Sequence, residues 1–227
     1  MDCAVPSAIL LYRQHPISED QVLDALRRQG KDLGKLSPQD LSHWDQDHYG
    51  GLAAVEALTR RADISAESHV LDVCAGLAGP ARFMASQCAA RVTCVDLSPE
   101  RTTGARRLTA LVGLGRLVRV VRADAQSLPF PRATFTTVVS QEGLLHVPDK
   151  ARVLVECARV LMPGGRLAFS DWVATPRLSI NERWRLEERM AAVTIQSLEV
   201  YAFFVGLGES GKLGGARFSA TAGPGIS

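Results

Sequence analysis

Short apolar runs alternate with stretches of helical periodicity through the middle of the chain. The apolar runs are typical of buried strands and lie at residues 69–73, 91–96, 117–123, 135–140 and 166–171. Apolar positions with helical spacing separate them, at residues 79–88, 99–111 and 148–162. Strands that alternate with helices at this spacing predict an α/β fold with a doubly wound, mostly parallel sheet.

Helix signals also flank this central region. A serine followed three residues later by glutamine predicts a helix start at Ser18, and Ser37 with Pro38 predicts another. Residues 1–62 are therefore predicted to form an N-terminal helical cap, and residues 63–205 a ligand-binding domain with a further helix over 181–198. Residues 206–227 read as a flexible glycine-rich tail without the alternation that a strand requires. C-terminal strands after the fifth are thus expected to be missing, which leaves a sheet edge open to a homodimer contact.

Composition narrows the function classes. The chain has 227 residues and a net charge of +2, with scattered arginines, so bulk electrostatics give no support for nucleic-acid binding. Its five cysteines form no C-x-x-C pair and no cluster with metal-ligand spacing, which favours a reducing, cytoplasmic setting without a metal site. We also predict no membrane segment and no membrane partner.

A carboxylate and a small-residue loop follow the first predicted strand. Asp72 precedes Gly76 and Gly79, but Cys74 and Ala78 occupy positions where a G-x-G-x-x-G dinucleotide loop needs glycine. The charge of Asp72 also opposes a pyrophosphate and suits a cationic ligand such as S-adenosylmethionine. An ordinary strand-to-helix turn capped by Asp72 remains an equal alternative at this point.

Polar residues also follow the next three strands. Asp96 ends the second, Asp124 and Ala125 follow the third, and Gln141 follows the fourth. Parallel strands bring such ends to one edge, where a single crevice can collect them. Asp96 can accept hydrogen bonds from two ribose hydroxyls, and Asp124 from an adenine amino group. A helix cap or surface acid is the simpler explanation of each alone, but not of three consecutive strand ends together.

Four ordered motifs then define a family resemblance. They are Val70-Leu71-Asp72 with its loop, Val95-Asp96-Leu97-Ser98, Asp124-Ala125 before Leu128-Pro129-Phe130, and Leu161-Met162-Pro163-Gly164-Gly165-Arg166-Leu167. Together they resemble class I S-adenosylmethionine-dependent methyltransferases from about residue 47 to 171. Residues 140–146, followed by Pro148-Asp149-Lys150, are similar to the small-amine branch, the sarcosine and dimethylglycine type.

The resemblance implies a set of site residues. Those expected around S-adenosylmethionine are Tyr49, Asp72, Gly76, Gly79, Asp96, Leu97, Asp124, Ala125 and Gln141. It places the methionine end at Asp72 and the loop, the ribose at Asp96, and the methyl group near Gln141. His146 is the candidate to accept or orient the proton of an amine substrate, although a histidine packed at a helix start is an equal explanation.

The leading hypothesis is methyl transfer to the nitrogen of a small-molecule amine such as sarcosine or dimethylglycine. Two alternatives remain open: a catalytically silent cofactor-binding or truncated relative, and a methyltransferase acting on carbon or oxygen. An oxidoreductase is disfavoured by the failed glycine spacing and by the charge of Asp72.

Overall fold

A five-stranded parallel sheet forms the centre of the protein. The computed structural model describes residues 9–10, 18–46, 48–174 and 178–201. The strands are β1 (His69–Val73), β2 (Arg91–Asp96), β3 (Val118–Arg122), β4 (Phe135–Gln141) and β5 (Leu161–Ser170). Their order in the sheet is β3-β2-β1-β4-β5, and every neighbouring pair is parallel. The predicted α/β class is therefore confirmed.

Helices precede, connect and follow these strands. They include α1 (Glu19–Arg28), α2 (Pro38–Leu41), α3 (Gly51–Arg61), α4 (Gly79–Cys88), α5 (Pro99–Leu111), α6 (Lys150–Val160) and α7 (Ile180–Met190). Side chains fix several starts: Ser18 accepts from the Gln21 amide at 3.3 Å, and Ser98 accepts from the Arg101 amide at 3.1 Å. Such caps satisfy amides that have no partner within the helix.

Alternate residues of β1 pack on opposite faces of the sheet, because side chains in a strand point alternately up and down. Leu71 and Val73 join a cluster with α6, which contributes Val153, Leu154 and Cys157 among others. On the other face, Val70 packs in a cluster that includes Ala81, Met84 and Ala85 of α4. Covering both faces leaves the ends of the strands as the place where a ligand can approach the sheet.

A buried ion pair joins the N-terminal helices to the sheet domain. Arg82 of α4 lies 2.6 Å from Asp45, and the two residues are 2% and 4% exposed. The same guanidinium donates to Thr109 of α5 at 3.1 Å. Close packing supports the contact, since a Cβ added at Gly79 would lie 2.2 Å from the carbonyl oxygen of Asp45.

The chain beyond β5 differs from its predicted course. Helix α7 ends at Met190 rather than near residue 198, because Ala191 adopts a left-handed conformation with φ of 47°. Tyr201 and Lys150 both contact Asp171 in a buried group, with the Lys150 ammonium 2.5 Å from the carboxylate. Strand β5 lies at an edge of the sheet, and pairing of that edge with a second copy stays a prediction. The predicted tail lies outside the described residues.

Ala89 offers a test of backbone strain. It ends α4 with φ of 56° and is exposed, so glycine should relieve the left-handed strain without losing packing. We expect Ala89→Gly to raise the free energy of unfolding by about 1 kcal/mol. The exposed Ala110 within α5 is the matched control, where the same change should cost about 0.5–1 kcal/mol. Urea unfolding measures the free energy of unfolding of both variants. A change of the same sign in both would contradict backbone strain at Ala89.

Candidate functional site

A cleft opens at the carboxyl end of the sheet, where the loops after β1, β2 and β4 meet. It encloses about 860 Å³, counting its open mouth. Six predicted site residues line it: Asp72, Gly76, Asp96, Leu97, Gln141 and His146. The parallel register explains this meeting, because β2 and β4 both flank β1 and end beside it.

Two carboxyl groups lie in this cleft. Asp72 is 2% exposed, and its Oδ2 is buried without a hydrogen-bond partner in the described part of the chain. Asp96 accepts from the Gly76 amide and the Ser98 amide, both at 2.9 Å. Burial, with the nearby Asp96 as a lesser cause, raises the pKa of Asp72 to about 7, and burial also raises the pKa of Asp96. A positively charged ligand would relieve both effects.

A second unsatisfied acceptor belongs to Gln141 at the end of β4. Its Nε2 lies 3.2 Å from Nδ1 of His48, while its Oε1 is buried without a partner among the described residues. His48 in turn contacts Gln46, with Nε2 3.1 Å from the amide oxygen. Gln46 donates from its own amide nitrogen to Oδ1 of Asp45 at 2.7 Å, so its oxygen accepts from Nε2–H of His48. The shorter contact of His48 Nδ1 is then with the amide nitrogen of Gln141, which leaves the Gln141 oxygen available for a donor.

These residues fit S-adenosylmethionine. The cofactor carries an α-ammonium group and a sulfonium, so it supplies both hydrogen-bond donors and positive charge. Asp72 and Gln141 present buried oxygen atoms that lack donors, a costly arrangement in a ligand-free protein. Asp72 and Asp96 would repel the negative charge of a pyrophosphate placed beside them.

The loop after β1 keeps glycine-like geometry without its glycines. Cys74 and Ala78 have φ of 59° and 62°, which lie in the left-handed region that glycine adopts most easily. Space for the Cys74 side chain comes from Gly143, which packs directly against it. A Cβ added to Gly143 would lie 2.3 Å from the Cβ of Cys74. The loop is therefore accommodated by its surroundings rather than by its own sequence.

Four predicted cofactor residues lie outside the lining of the cleft. Asp124 accepts from the Gln126 amide at 2.8 Å, and Ala125 is buried in the core. Tyr49 is 63% exposed, and Gly79 contacts the backbone of Asp45. Their contact with the cofactor stays a prediction.

His146 lines the cleft from the short 3₁₀ turn Leu144–His146. Its Nδ1 lies 3.1 Å from the carbonyl oxygen of Ala191. A carbonyl only accepts, so this contact assigns the proton to Nδ1 and the lone pair of the neutral ring to Nε2. The role of His146 as a proton acceptor or orienting group stays a prediction.

The sequence assigned no individual role to several polar residues that line the cleft, among them Asp45, His48, Arg101 and Glu142. Glu142 follows β4 directly and adopts φ of 49°. Its carboxylate accepts from the Tyr49 amide at 3.0 Å and from Nε1 of Trp172 at 3.0 Å. These partners are distant in sequence, so no local pattern reveals them. The polar and aromatic run that begins at His43 was interpreted from the sequence as a cap over the ligand pocket, with a surface loop as the alternative, and it contributes Asp45 and His48 to the lining.

The described residues contain no group of three histidine, cysteine, aspartate or glutamate side chains that could hold a metal ion. Among the same residues, every helix is too short or too polar to cross a bilayer. Cys74, Cys88, Cys94 and Cys157 all have free thiols.

Asp72 gives a pH-dependent prediction for stability. Its folded pKa of about 7 exceeds the ordinary 3.8, so between these values the folded protein holds a proton that the unfolded chain has lost. Stability contributed by this group is therefore present at low pH and lost as pH rises through 7. Asp72→Asn should raise the unfolding free energy at about pH 8 by on the order of 3 kcal/mol, and by much less at about pH 4.

Urea unfolding of the ligand-free protein at the two pH values measures this change. The exposed Asp20→Asn is the control, since that side chain is solvated in both states. An equal gain at both pH values would contradict ionisation of Asp72 as the cause.

Comparison with known proteins agrees with this geometry. A family model described as a methyltransferase domain matches residues 71–169. Methyltransferase GfsG of Streptomyces halstedii is 32% identical over 80% of this chain and 71% of its own length. A glycine/sarcosine/dimethylglycine N-methyltransferase of Actinopolyspora halophila is 35% identical over 60% of this chain, which spans only 24% of that relative. Other similar proteins are named N-, O- and C-methyltransferases.

A solved structure shares the fold. Phosphoethanolamine N-methyltransferase 2 of Haemonchus contortus, in complex with S-adenosylmethionine, superimposes with a TM-score of 0.68. It is 22% identical, and the match covers 89% of this chain and 44% of that one. The strand-end acids, the cleft and these similarities lead to one conclusion: the chain belongs to the S-adenosylmethionine-dependent methyltransferases.

Proposed function

We propose that this protein transfers a methyl group from S-adenosylmethionine to the nitrogen of a small amine. The observation that carries the cofactor half of this proposal is the pair of buried oxygen atoms, on Asp72 and Gln141, that lack donors. Two observations support a small amine as the methyl acceptor. Residues 140–146 are similar to those of the small-amine methyltransferases, and several relatives are named sarcosine and dimethylglycine N-methyltransferases.

The predicted cofactor residues that line the cleft each have a proposed role in binding S-adenosylmethionine. Asp72 and Gly76 hold the methionine end, where the carboxylate faces the ammonium group. Asp96 accepts from the ribose hydroxyls while its oxygen atoms stay fixed by the Gly76 and Ser98 amides. Leu97 packs beside the nucleoside, and Gln141 lies near the methyl group.

Reaction requires alignment more than acid–base strength. When bound, the cofactor would supply a methyl group on a sulfonium: the lone pair of a neutral nitrogen would bond to the methyl carbon in line as the carbon–sulfur bond breaks and the thioether leaves. An amine must therefore be deprotonated before transfer, and His146 in its Nε2-lone-pair tautomer is the proposed acceptor or orienting group.

Oxygen is the second candidate acceptor. A relative named 27-O-demethylrifamycin SV methyltransferase is 33% identical over 63% of this chain and 55% of its own length, a larger share than the N-methyltransferases reach. Transfer to a hydroxyl needs the same alignment but a stronger base, because an alcohol holds its proton more tightly than an ammonium ion does.

A methyl-release assay separates these possibilities. The purified chain is incubated with labelled cofactor and with glycine, sarcosine, dimethylglycine or phosphoethanolamine in turn, and a set of alcohols forms the second panel. Labelled product from an amine supports the proposal, and product only from an alcohol supports the second candidate. Cofactor binding without transfer to any acceptor would identify a catalytically silent relative.

A further inference from the structure

Glu142 connects three segments that are distant in sequence. Its amide donates to the carbonyl of Ser170 at 2.9 Å, at the end of β5. Its two carboxylate oxygens lie 3.1 and 3.0 Å from the amide of Tyr49, and Nε1 of Trp172 donates to one of them at 3.0 Å. Residues 48–50, here called the cap loop, are thereby fastened to the exits of β4 and β5.

The backbone at Glu142 is strained, and the contacts of its carboxylate distinguish it from other strained positions such as Ala89. The φ of 49° at Glu142 is strained for any residue except glycine. A turn that needed only this conformation would be more stable with glycine. Strain of this kind persists where the surroundings use the side chain, and it clusters at functional sites. The bonds that Glu142 accepts are charge-assisted, and therefore stronger than those a neutral side chain would make.

The cap loop also orients a residue of the cofactor cleft. His48 in this loop lies 3.2 Å from the amide nitrogen of Gln141, the residue before Glu142. Only with the loop in place is that amide held with its nitrogen on His48 and its oxygen available to a ligand. Loss of the Glu142 contacts would free the cap loop. The amide of Gln141 would then no longer be held in this orientation.

We propose that Glu142 is a positioning residue that holds the cap loop against the cleft and thereby aims the amide oxygen of Gln141 at the cofactor. The proposal rests on the cofactor site described under Proposed function, but not on the identity of the methyl acceptor. Trp172 supports Glu142 by donating from its indole, so both side chains act through the cap loop rather than on the reacting atoms.

Two variants test the proposal. Glu142→Gln keeps the shape and removes the charge, while Glu142→Gly removes the side chain and relieves the strained backbone. Hydrogen exchange at residues 48–50 is measured on the ligand-free protein, and S-adenosylmethionine affinity by calorimetry. We expect exchange about tenfold faster and affinity about tenfold weaker in both variants, because each loses charge-assisted bonds. The exposed Glu188→Gln on α7 is the control and should change neither quantity.

Glu142→Gly discriminates a positioning role from a purely structural one. Its thermal midpoint should equal or exceed that of the unaltered protein, since glycine suits the backbone, while its affinity falls. Unchanged exchange in both variants would overturn the proposal, as would faster exchange with unchanged affinity. An unaltered protein that binds cofactor but methylates no acceptor would refute only the proposed function, because neither measurement uses an acceptor.

Discussion

Asp96→Ala is expected to weaken S-adenosylmethionine binding by about 100-fold, the largest loss among single substitutions in the cleft. The carboxylate is oriented by two backbone amides, from Gly76 and Ser98, so its remaining lone pairs are fixed before a ligand arrives. Hydrogen bonds from ribose hydroxyls to a preoriented acceptor form without rearrangement of that acceptor, so less of their free energy is lost on binding. Titration calorimetry measures the affinity, and thermal unfolding of the variant shows whether the loop stays folded.

Asp124→Ala is the informative comparison for that measurement. The same side-chain atoms are removed after the next strand, but Asp124 lies outside the lining of the cleft and caps its own turn. We expect a much smaller loss there. If Asp96→Ala binds S-adenosylmethionine as tightly as the unaltered protein does, Asp96 does not hold the ribose. A large loss of affinity in Asp124→Ala would place the adenine beside Asp124.

Asp45→Ala is expected to lower the free energy of unfolding by about 3–5 kcal/mol, because it leaves the guanidinium of Arg82 buried without its carboxylate. Both residues are nearly inaccessible to solvent, and the remaining contact of Arg82 with Thr109 does not neutralise its charge. The loss is a large fraction of the stability of an ordinary domain. Urea unfolding with a probe in the N-terminal helices measures it.

A double-mutant cycle completes this experiment. Arg82→Met should cost a similar amount alone, and the double variant should lose less than the sum, since no unpaired charge then remains. Asp24→Ala is the matched control: its partner Arg27 lies 2.5 Å away, but both side chains are more than half exposed. That pair should contribute at most about 1 kcal/mol. Additive losses at Asp45 and Arg82 would contradict coupling of the buried pair.

Local sequence signals account for most of the fold. Strand β2 begins and ends at the predicted residues, because an apolar run stops at Asp96 and Ser98 with Pro99 then starts a helix. Helix α7 ends early for the opposite reason. Ala191 reaches its left-handed conformation without any glycine or proline to mark it, so the periodicity alone extended the predicted helix to residue 198.

The site was predictable only in part for a related reason. Parallel topology fixes where a strand end lies, so Asp72, Asp96 and Gln141 could be placed together from the order of the strands. Topology does not fix the direction of a side chain one or two residues beyond a strand. The carboxylate of Asp124, for example, accepts a hydrogen bond from the Gln126 amide within its own turn. Contacts such as Tyr49 with Glu142 join residues far apart in sequence, which no local pattern records.

The contact between Cys74 and Gly143 couples the substitutions that the two positions tolerate. A Cβ at both positions would clash in this backbone, so the side chain of Cys74 requires that position 143 have none. Substitutions at the two positions should then be compensatory, with Gly143→Ala tolerated only alongside Cys74→Gly.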